Sequence, residues 1–553
     1  MSQALSNGKG NAIPEQAQDG YPRLSKRIII MSAAYLAMFL VTLDQNILAT
    51  ATPRITDEFH SLDDLSWYNT AYILTMCCFQ LLTGKIYKYY PVKPIFLISC
   101  VIFEIGSVVC GAAPDSPSFI VGRAIAGLGS SAIFSGVMVI LFNVVPLQER
   151  PIYQGLFGAV YGFASVVGPL IGGTFTDKVS WRWCFYINLP VGAISIIVTF
   201  FFVDQRGQKL DSPASSFVGR VQQLDPIGTI VVLPAIVCLI LALQWGGVKY
   251  PWNDARIIIL FVLSVVLFLV FIGIQIWKQE DATLPPRIVK QRSIAGATWF
   301  GLCNGAAAQV IVFYLPLWFQ AIKGVSAIKS GIMLLPTMIA TVLCSVGSGV
   351  ILTKLIPYNN PFFYASSLLM PIGAGLLTTL EPSTGPAKWI GYQVVLGIGL
   401  GLGLQQGLVV VQTVLRRADV ATGTVFVLFV RFLGTAICLP IGQAIFLNSL
   451  VKNLTGMPSI DPSEIANTGA TNIRDMVSGK ELSLLLFGYN DALVNTFYVA
   501  VGLGCASVIG TVTVEWRRLG QDQGVDARQV DLTCAVTCDG VSQSRSPERR
   551  KRS

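Results

Sequence analysis

Charge is what this chain has least of. Only 12% of its 553 residues are Asp, Glu, Lys or Arg, against 53% that are hydrophobic, and the mean hydropathy is +0.62. That much apolar surface does not fit inside a water-soluble core, so the solvent has to be lipid. Histidine is nearly missing, with His60 alone, which excludes a histidine-rich metal cluster. No Gly-x-x-x-x-Gly-Lys-Ser/Thr loop occurs, and no polar stretch is long enough for a nucleotide-binding domain, so direct ATP coupling is excluded. No nucleophile motif or cofactor loop stands in context, which argues against an enzyme and leaves no cofactor or metal to expect. Of the 12 cysteines, all but Cys534 and Cys538 fall in apolar runs. They read as small apolar residues, not as a disulfide framework.

What the sequence has instead is long apolar runs. A bilayer demands roughly 20 apolar residues per helix, and runs of that length predict spans over 28–50, 66–87, 94–113, 118–141, 154–173, 184–203, 226–245, 256–277, 294–320, 328–352, 361–380, 389–413, 421–446 and 493–514. A membrane β-barrel would need segments half as long with alternating polarity. The expected fold is therefore an all-α polytopic membrane protein of 14 transmembrane helices. Polar stretches at 204–225 and 278–293 bracket the seventh and eighth spans. The expected domains are a tail (1–27), a six-helix bundle (28–203), loops with two linker helices (204–293), and a second six-helix bundle (294–516). A long loop (447–492) interrupts the second bundle, and a basic, disordered tail (517–553) follows it.

Orientation follows from Lys and Arg. Placing the first tail in the cytoplasm puts most of the 39 there, including Lys85, Lys88, Arg206, Lys278, Arg287, Arg416 and Arg417. The net charge of +9 then reflects topology and not nucleic-acid binding. This orientation puts Asn453-Leu454-Thr455, a glycosylation acceptor triplet, outside. The polar first 27 residues and the long run after them read as a signal anchor, not a cleaved signal peptide.

Ionisable residues within spans are expensive, roughly 2.5–3.5 kcal/mol each at the bilayer centre, unless they face a partner or a cavity. Four lie clear of the span ends: Asp44, Glu104, Arg123 and Arg431. Asp44 and Arg123 both fall in the outer half, by about 1.5 Å of rise per residue. A carboxylate that pairs alternately with arginine and with a proton is a coupling device; a permanent ion pair is the other reading. Glu104 and Arg431 fall near the midplane of opposite bundles. Glu104 reads as a second proton carrier, a receptor for a cationic substrate or a packed neutral acid, and Arg431 as a brace or a contact for substrate anions. The Gly-rich run 397–407 (GIGLGLGLQQG) lies inside a span and reads as close helix packing, not as a dinucleotide fingerprint.

Several segments together resemble a known family. GLFGAVYGFASVVGPLIGG (155–173) looks like an antiporter signature, with Gly155, Gly168, Pro169, Gly172 and Gly173 matching and Ala164 where glycine is usual. WRWCFYINLPVG (181–192), GRAIAGLG (122–129), LDQNILATATPRI (43–55), LALQWGG (241–247) and YLPLWFQAIKGVSAIKSGIMLLP (314–336) are similar to further signatures. Residues 28–516 thus resemble the fungal fourteen-spanner drug:proton antiporters of the major facilitator superfamily. The resemblance implies the major facilitator fold and places proton coupling on Asp44 and Arg123. It also implies a cell-membrane location, with a vacuolar or vesicular membrane as the alternative, and a monomer. One loop departs from the family. The pattern Gly-x-x-x-Asp-x-x-Gly-Arg-Lys, a conformational latch, reads GKIYKYYPVK (84–93), with Lys88 at the acidic position and Pro91 at the second glycine.

Polar and aromatic residues on central spans are the expected cavity: Asn304, Gln309, Tyr314, Trp318 and Gln320, then Gln405, Gln406 and Gln412, with Arg431. Each also reads as a packing or interhelical hydrogen-bond residue. Such a pocket suits small amphipathic organic molecules. The expected partners are that substrate, protons and the lipid bilayer, with no nucleic acid. The expected function is proton-coupled export, with proton-coupled import, for example of siderophores, or a non-transporting receptor as alternatives.

Overall fold

A computed structural model describes residues 21–60, 64–203, 219, 222–247, 249–416, 419–454 and 480–519. The expected polar tails lie almost wholly outside the described residues. The helices are α1 (Leu24–Phe59), α2 (Leu65–Tyr89), α3 (Val92–Ala112), α4 (Ser116–Val144), α5 (Arg150–Lys178), α6 (Trp183–Tyr186), α7 (Asn188–Phe202), α8 (Pro226–Trp245) and α9 (Ala255–Lys278). There follow α10 (Pro286–Val289), α11 (Arg292–Lys323), α12 (Ala327–Met333), α13 (Leu335–Lys354), α14 (Asn360–Leu377), α15 (Pro386–Gly403), α16 (Gln406–Val414), α17 (Val420–Leu454) and α18 (Lys480–Thr513).

Twelve helical stretches among the described residues are long and apolar enough to cross a membrane. Helices α2 and α14 are long enough but less apolar, because α2 carries Lys85 and Lys88 and α14 carries Asn, Ser and Pro. Apolar side chains face outward around the molecule, densest on α9, where Ile259, Val262, Val265 and Leu269 are all exposed. No aqueous surface tolerates that belt, and the chain is a multi-pass membrane protein.

Helices α1 to α7 pack chiefly on one another, as do α11 to α18. The two groups meet where α5 runs along α13 and where α2 meets α17. Helices α8 and α9 pair with each other, and α8 leans on α2 and α17.

Several element ends differ from expectation for identifiable reasons. Helix α1 continues nine residues past position 50 to Phe59, where Glu58 is held by Trp181 Nε1 (2.6 Å) and Arg182 (2.9 Å), and ends on His60 in the left-handed conformation. Those bonds, the one from Trp181 foremost, hold the Glu58 carboxyl below its ordinary range. The run 184–203 breaks at Ile187, because Pro190 has no N–H for the carbonyl of residue 186. The run 328–352 breaks at Leu334 in the same way, through Pro336. The run 389–413 breaks between Gly403 and Gln406. The connection expected over 447–492 is helical at both ends, since α17 runs to Leu454 and α18 begins at Lys480.

Asp225 anchors the linker pair. It is fully buried and caps α8 from the left-handed region, with φ 51°. It accepts from Gly228 N (3.0 Å), Thr283 N (3.0 Å), Thr283 Oγ1 (2.7 Å) and Lys278 Nζ (2.7 Å). Burial alone would raise its pKa, but the bonds from Lys278, Thr283, Gly228 and Gln275 outweigh it and hold the carboxyl at about 2.

Candidate functional site

Asp44 stands in the later part of the apolar stretch of α1, and Arg123 about two turns into α4. The packing of α1 against α4 brings them together: Arg123 Nη1 donates to Asp44 Oδ2 at 2.5 Å. Both side chains are 0% exposed, so the pair is sealed from solvent in this conformation. Arg123 Nε donates to the Tyr68 carbonyl (2.9 Å), and the guanidinium lies 4.4 Å from the Tyr72 ring centroid. Asn188 Nδ2, on the first residue of α7, donates to the other Asp44 oxygen at 3.3 Å and to Ser107 Oγ at 3.1 Å. Four helices thus converge on one carboxylate. The network is not saturated, because Arg123 Nη2 and Asn188 Oδ1 have no hydrogen-bond partner. A sealed ion pair with spare bonding capacity can exchange partners at lower cost than a fully satisfied one.

Glu104 is not part of this cluster's hydrogen bonding. It sits half-buried on α3 with its carboxyl over Gly192 of α7, in the space a side chain there would fill, and its Oε2 has no partner. The structure does not bring Glu104 and Arg431 to one cavity, since α3 packs on α4 and α7 within the first group.

The expected cavity residues separate into two sets. Arg431 on α17 and Asn304 on α11 share a narrow cavity with Phe300, Leu404 and Gly407. Arg431 Nη1 donates to the Leu404 carbonyl at a long 3.4 Å, and its stem lies on Gly305. Gln405 is next to this cavity, buried, with neither amide atom bonded. Gln406 Nε2 bonds the Leu402 carbonyl (3.0 Å), and its Oε1 is unpartnered. Gln309 is half-buried.

The second set is packed away from this cavity. Trp318 is fully buried and donates to Asn490 Oδ1 of α18 at 2.7 Å. Tyr314 packs on Phe446, its hydroxyl without a partner. Gln320 Nε2 bonds Ser330 Oγ (3.1 Å) and Gln412 Nε2 the Leu408 carbonyl (3.0 Å).

The α5 glycines serve two interfaces. Gly168 and Gly172 receive Asn46, Ile47 and Thr50 of α1, whereas Gly155 lies against Ser345 and Val346 of α13. Gly173 faces Ile328 of α12, and Pro169 lies near Gly331. In the departing loop, Gly84 lies against Val425 of α17, and Lys85 Nζ donates to the Asp281 carbonyl at 2.9 Å. Asn453 is in the last turn of α17, with Nδ2 donating to the Gly488 carbonyl (3.1 Å); Thr455 lies outside the described residues.

Sequence reasoning missed Asn188, Gln154 and the ties at Asp225, Arg287 and Asp419. Asn188 lay within a quoted motif, and the Asp-Pro pair at 225–226 was a readable helix start. Gln154, fully buried on α5 with both amide atoms unpartnered, gave no signal beyond being polar in an apolar run.

A lipid-belted bundle of helices in two packed groups, with ionisable side chains sealed between helices, defines a membrane transporter and not an enzyme. The chain belongs to the Major Facilitator Superfamily, whose profile matches residues 34–438. It is 49% identical over 515 residues to the MFS-type efflux pump MFS1 of Arthroderma benhamiae, covering 93% of this chain and 96% of that protein. It is 48% identical to the MFS-type transporter VdtG of Byssochlamys spectabilis, over 90% of this chain and 89% of that one. It is also 45% identical to the efflux pump aunC of Aspergillus niger, over 90% and 94%. Among solved structures, a double-tryptophan mutant of XylE matches with TM-score 0.56 and 12% identity, covering 89% of this chain and 97% of that one. That match shows the shared fold.

Proposed function

We propose that this protein is a proton-coupled antiporter that exports small amphipathic organic compounds, of the toxin, secondary-metabolite or drug type. The observation that carries the reading is the sealed Asp44–Arg123 pair with its unsaturated partners. A carboxylate parted from its guanidinium in a dry interior takes up a proton, and one that regains it gives the proton up, so rocking of the two bundles is tied to proton movement. The direction is supported by relatives named efflux pumps and by the resemblance of 155–173 to an antiporter signature.

In this reading α2 and α14 also span, completing the fourteen-spanner pattern of two six-helix bundles, 28–203 and 294–516, with two linker helices between. Both termini are cytoplasmic, the cell membrane is the site of action and the monomer is the working unit. Glu104 is a second proton-accepting group, and Asn304, Gln309, Tyr314, Trp318, Gln405, Gln406 and Arg431 serve the substrate pathway. Asn453 is the glycan acceptor once it leaves the bond to Gly488.

The test is the accumulation of labelled amphipathic compounds in pump-deficient yeast, with and without a protonophore. Wild-type protein lowers accumulation, and both the protonophore and Asp44→Asn abolish the effect at equal protein abundance. Accumulation above the control would reverse the direction to uptake. Export that survives both treatments would remove Asp44 and the proton from the mechanism.

A further inference from the structure

The break between α15 and α16 and the position of Arg431 bear on the substrate's charge. Chain direction reverses nothing there, yet the helix ends at Gly403 and a new nine-residue helix starts at Gln406, inside the apolar stretch 386–414. A helix start within a membrane presents the positive end of a dipole and unpaired N–H groups, which favour an anion. The first turn of α16 lines the same cavity as Arg431 at Gly407 and Leu408, the Leu408 N–H itself being bonded to the Gln405 carbonyl at 3.1 Å.

Two further observations at this spot point to a ligand. Arg431 carries five N–H donors, and the one bond it makes here is the 3.4 Å contact to Leu404. It forms no ion pair among the described residues, and of the two acids within spans Asp44 is taken by Arg123 and Glu104 lies at the α3–α7 contact. Gln405, the residue before α16, is 96% buried by its 4% exposure, and neither its Nε2 nor its Oε1 is bonded. Its Nε2 comes within 3.2 Å of where a Cβ on Gly158 of α5 would sit, so this amide stands at the junction of the two bundles. A full positive charge and a helix start share this cavity with no acid to meet them, and an unpaired buried amide stands next to it, facing α5. Such a group is retained in an apolar interior when a transient partner of opposite charge visits it.

We infer that the exported compound is an organic oxyanion, a carboxylate or ionised phenol on an amphipathic body, and that Arg431, the first turn of α16 and Gln405 receive its charged end. The inference rests on the export reading and assigns that reading a substrate class. Phe300, Leu408 and Val427 supply apolar wall beside that charged end, and the cavity, with room for about one water in this conformation, has to widen during transport to take the apolar body.

The experiment uses the full chain in inside-acid secretory vesicles from pump-deficient yeast, cytoplasmic face outward, with three matched probes: anthracene-2-carboxylate, its neutral methylamide and the cationic aminomethylanthracene. Wild type concentrates the carboxylate most. Arg431→Gln lowers carboxylate uptake by about tenfold or more, the effect of losing one charged hydrogen bond, and lowers amide uptake by much less, so that the preference for the carboxylate falls, while Arg431→Lys retains most carboxylate uptake. Thermal stabilisation of the purified protein by the carboxylate, present in wild type and lost in Arg431→Gln, is the readout that does not depend on transport. A wild type that prefers the amine or the amide, or an Arg431→Gln variant that loses all three probes alike, overturns the inference and leaves export standing. Binding of the carboxylate through Arg431 without movement of any probe supports the inference and counts against export. Neither binding nor movement overturns both.

Discussion

Asn188 helps to hold the buried Asp44–Arg123 ion pair. Its Nδ2 donates to the Asp44 oxygen that Arg123 does not bond and ties that oxygen to Ser107 of α3. A hydrogen bond to a charged group in a buried site is worth about 1.5–3 kcal/mol, and removal leaves one Asp44 lone pair without a donor. Asn188→Ala is therefore expected to lower the melting temperature of the detergent-purified protein by several degrees and to slow export. Ser107→Ala, which leaves the Asn188–Asp44 bond intact, is the milder change. Equal melting curves for wild type and Asn188→Ala would show that Asn188 contributes nothing to holding Asp44. Asp44 and Arg123 were legible in the sequence because a charge inside an apolar run has few explanations. Asn188 was not, since a neutral amide at the start of a span has many, and only the approach of α7 to α1 and α3 makes it a partner.

Among the elements, α5 shows how small residues set the distance between bundles. A Cβ on Gly155 would stand 2.7 Å from the Ser345 carbonyl oxygen and 2.9 Å from Val346 Cα, and backbone atoms of α13 cannot swing aside. Gly347, on α13 itself, has nothing within 4 Å. Gly155→Val should thus cost about 1–3 kcal/mol by overpacking and reduce transport several-fold or more, while Gly347→Ala leaves both stability and transport near wild type. Transport by Gly155→Val at the wild-type rate, with normal abundance, would mean that α5 and α13 do not need this approach. The glycines of 397–407 are close-packing positions: Gly397 and Gly401 lie against the α13 backbone and Gly399 against Met370 of α14. The break at Leu404 and Gln405 in the same run was not legible, because glycine permits both a tight contact and a helix end and hydrophobicity does not distinguish them. The proline breaks at Ile187 and Leu334 were legible in principle, three and two residues ahead of their prolines.

On the scale of the molecule, the residues that replace the family's loop latch form a different tie between the bundles. Lys85, at the end of α2, donates to the Asp281 carbonyl in the segment after α9. From the same segment region, Arg287 of α10 grips Asp419, just before α17, with two bonds of 2.8 and 3.0 Å, and also bonds Glu280 at 2.8 Å. Those two carboxylates, Asp419 first, push the Arg287 guanidinium pKa up. The first bundle is thereby joined to the second through residues 279–287 instead of through an acid in the 84–93 loop, where Lys88 now stands. Asp225 keeps the linker in place across the physiological range. Its carboxyl is depressed to about 2, so its contribution is present above the ordinary aspartate range and is lost only as pH falls through that value. The ties were not legible in the sequence, since Lys85, Glu280, Arg287 and Asp419 lie on separate elements that the fold alone brings together. The tie lies at the end of the bundle where Gly84 meets Val425, and weakening it should favour a conformation open at that end. A half-exposed arginine bonded to a nearly buried carboxylate is worth about 1 kcal/mol after solvent screening, a shift of roughly fivefold in the open-to-closed ratio. Arg287→Ala and Asp419→Ala should each raise labelling of a cysteine placed at Val425 by that factor, and the double variant should raise it no further, because both remove the Arg287–Asp419 pair and the exposed Glu280 contact adds little. Additive increases would mean that the two residues brace separate parts of the structure and that the linker does not hold the bundles shut.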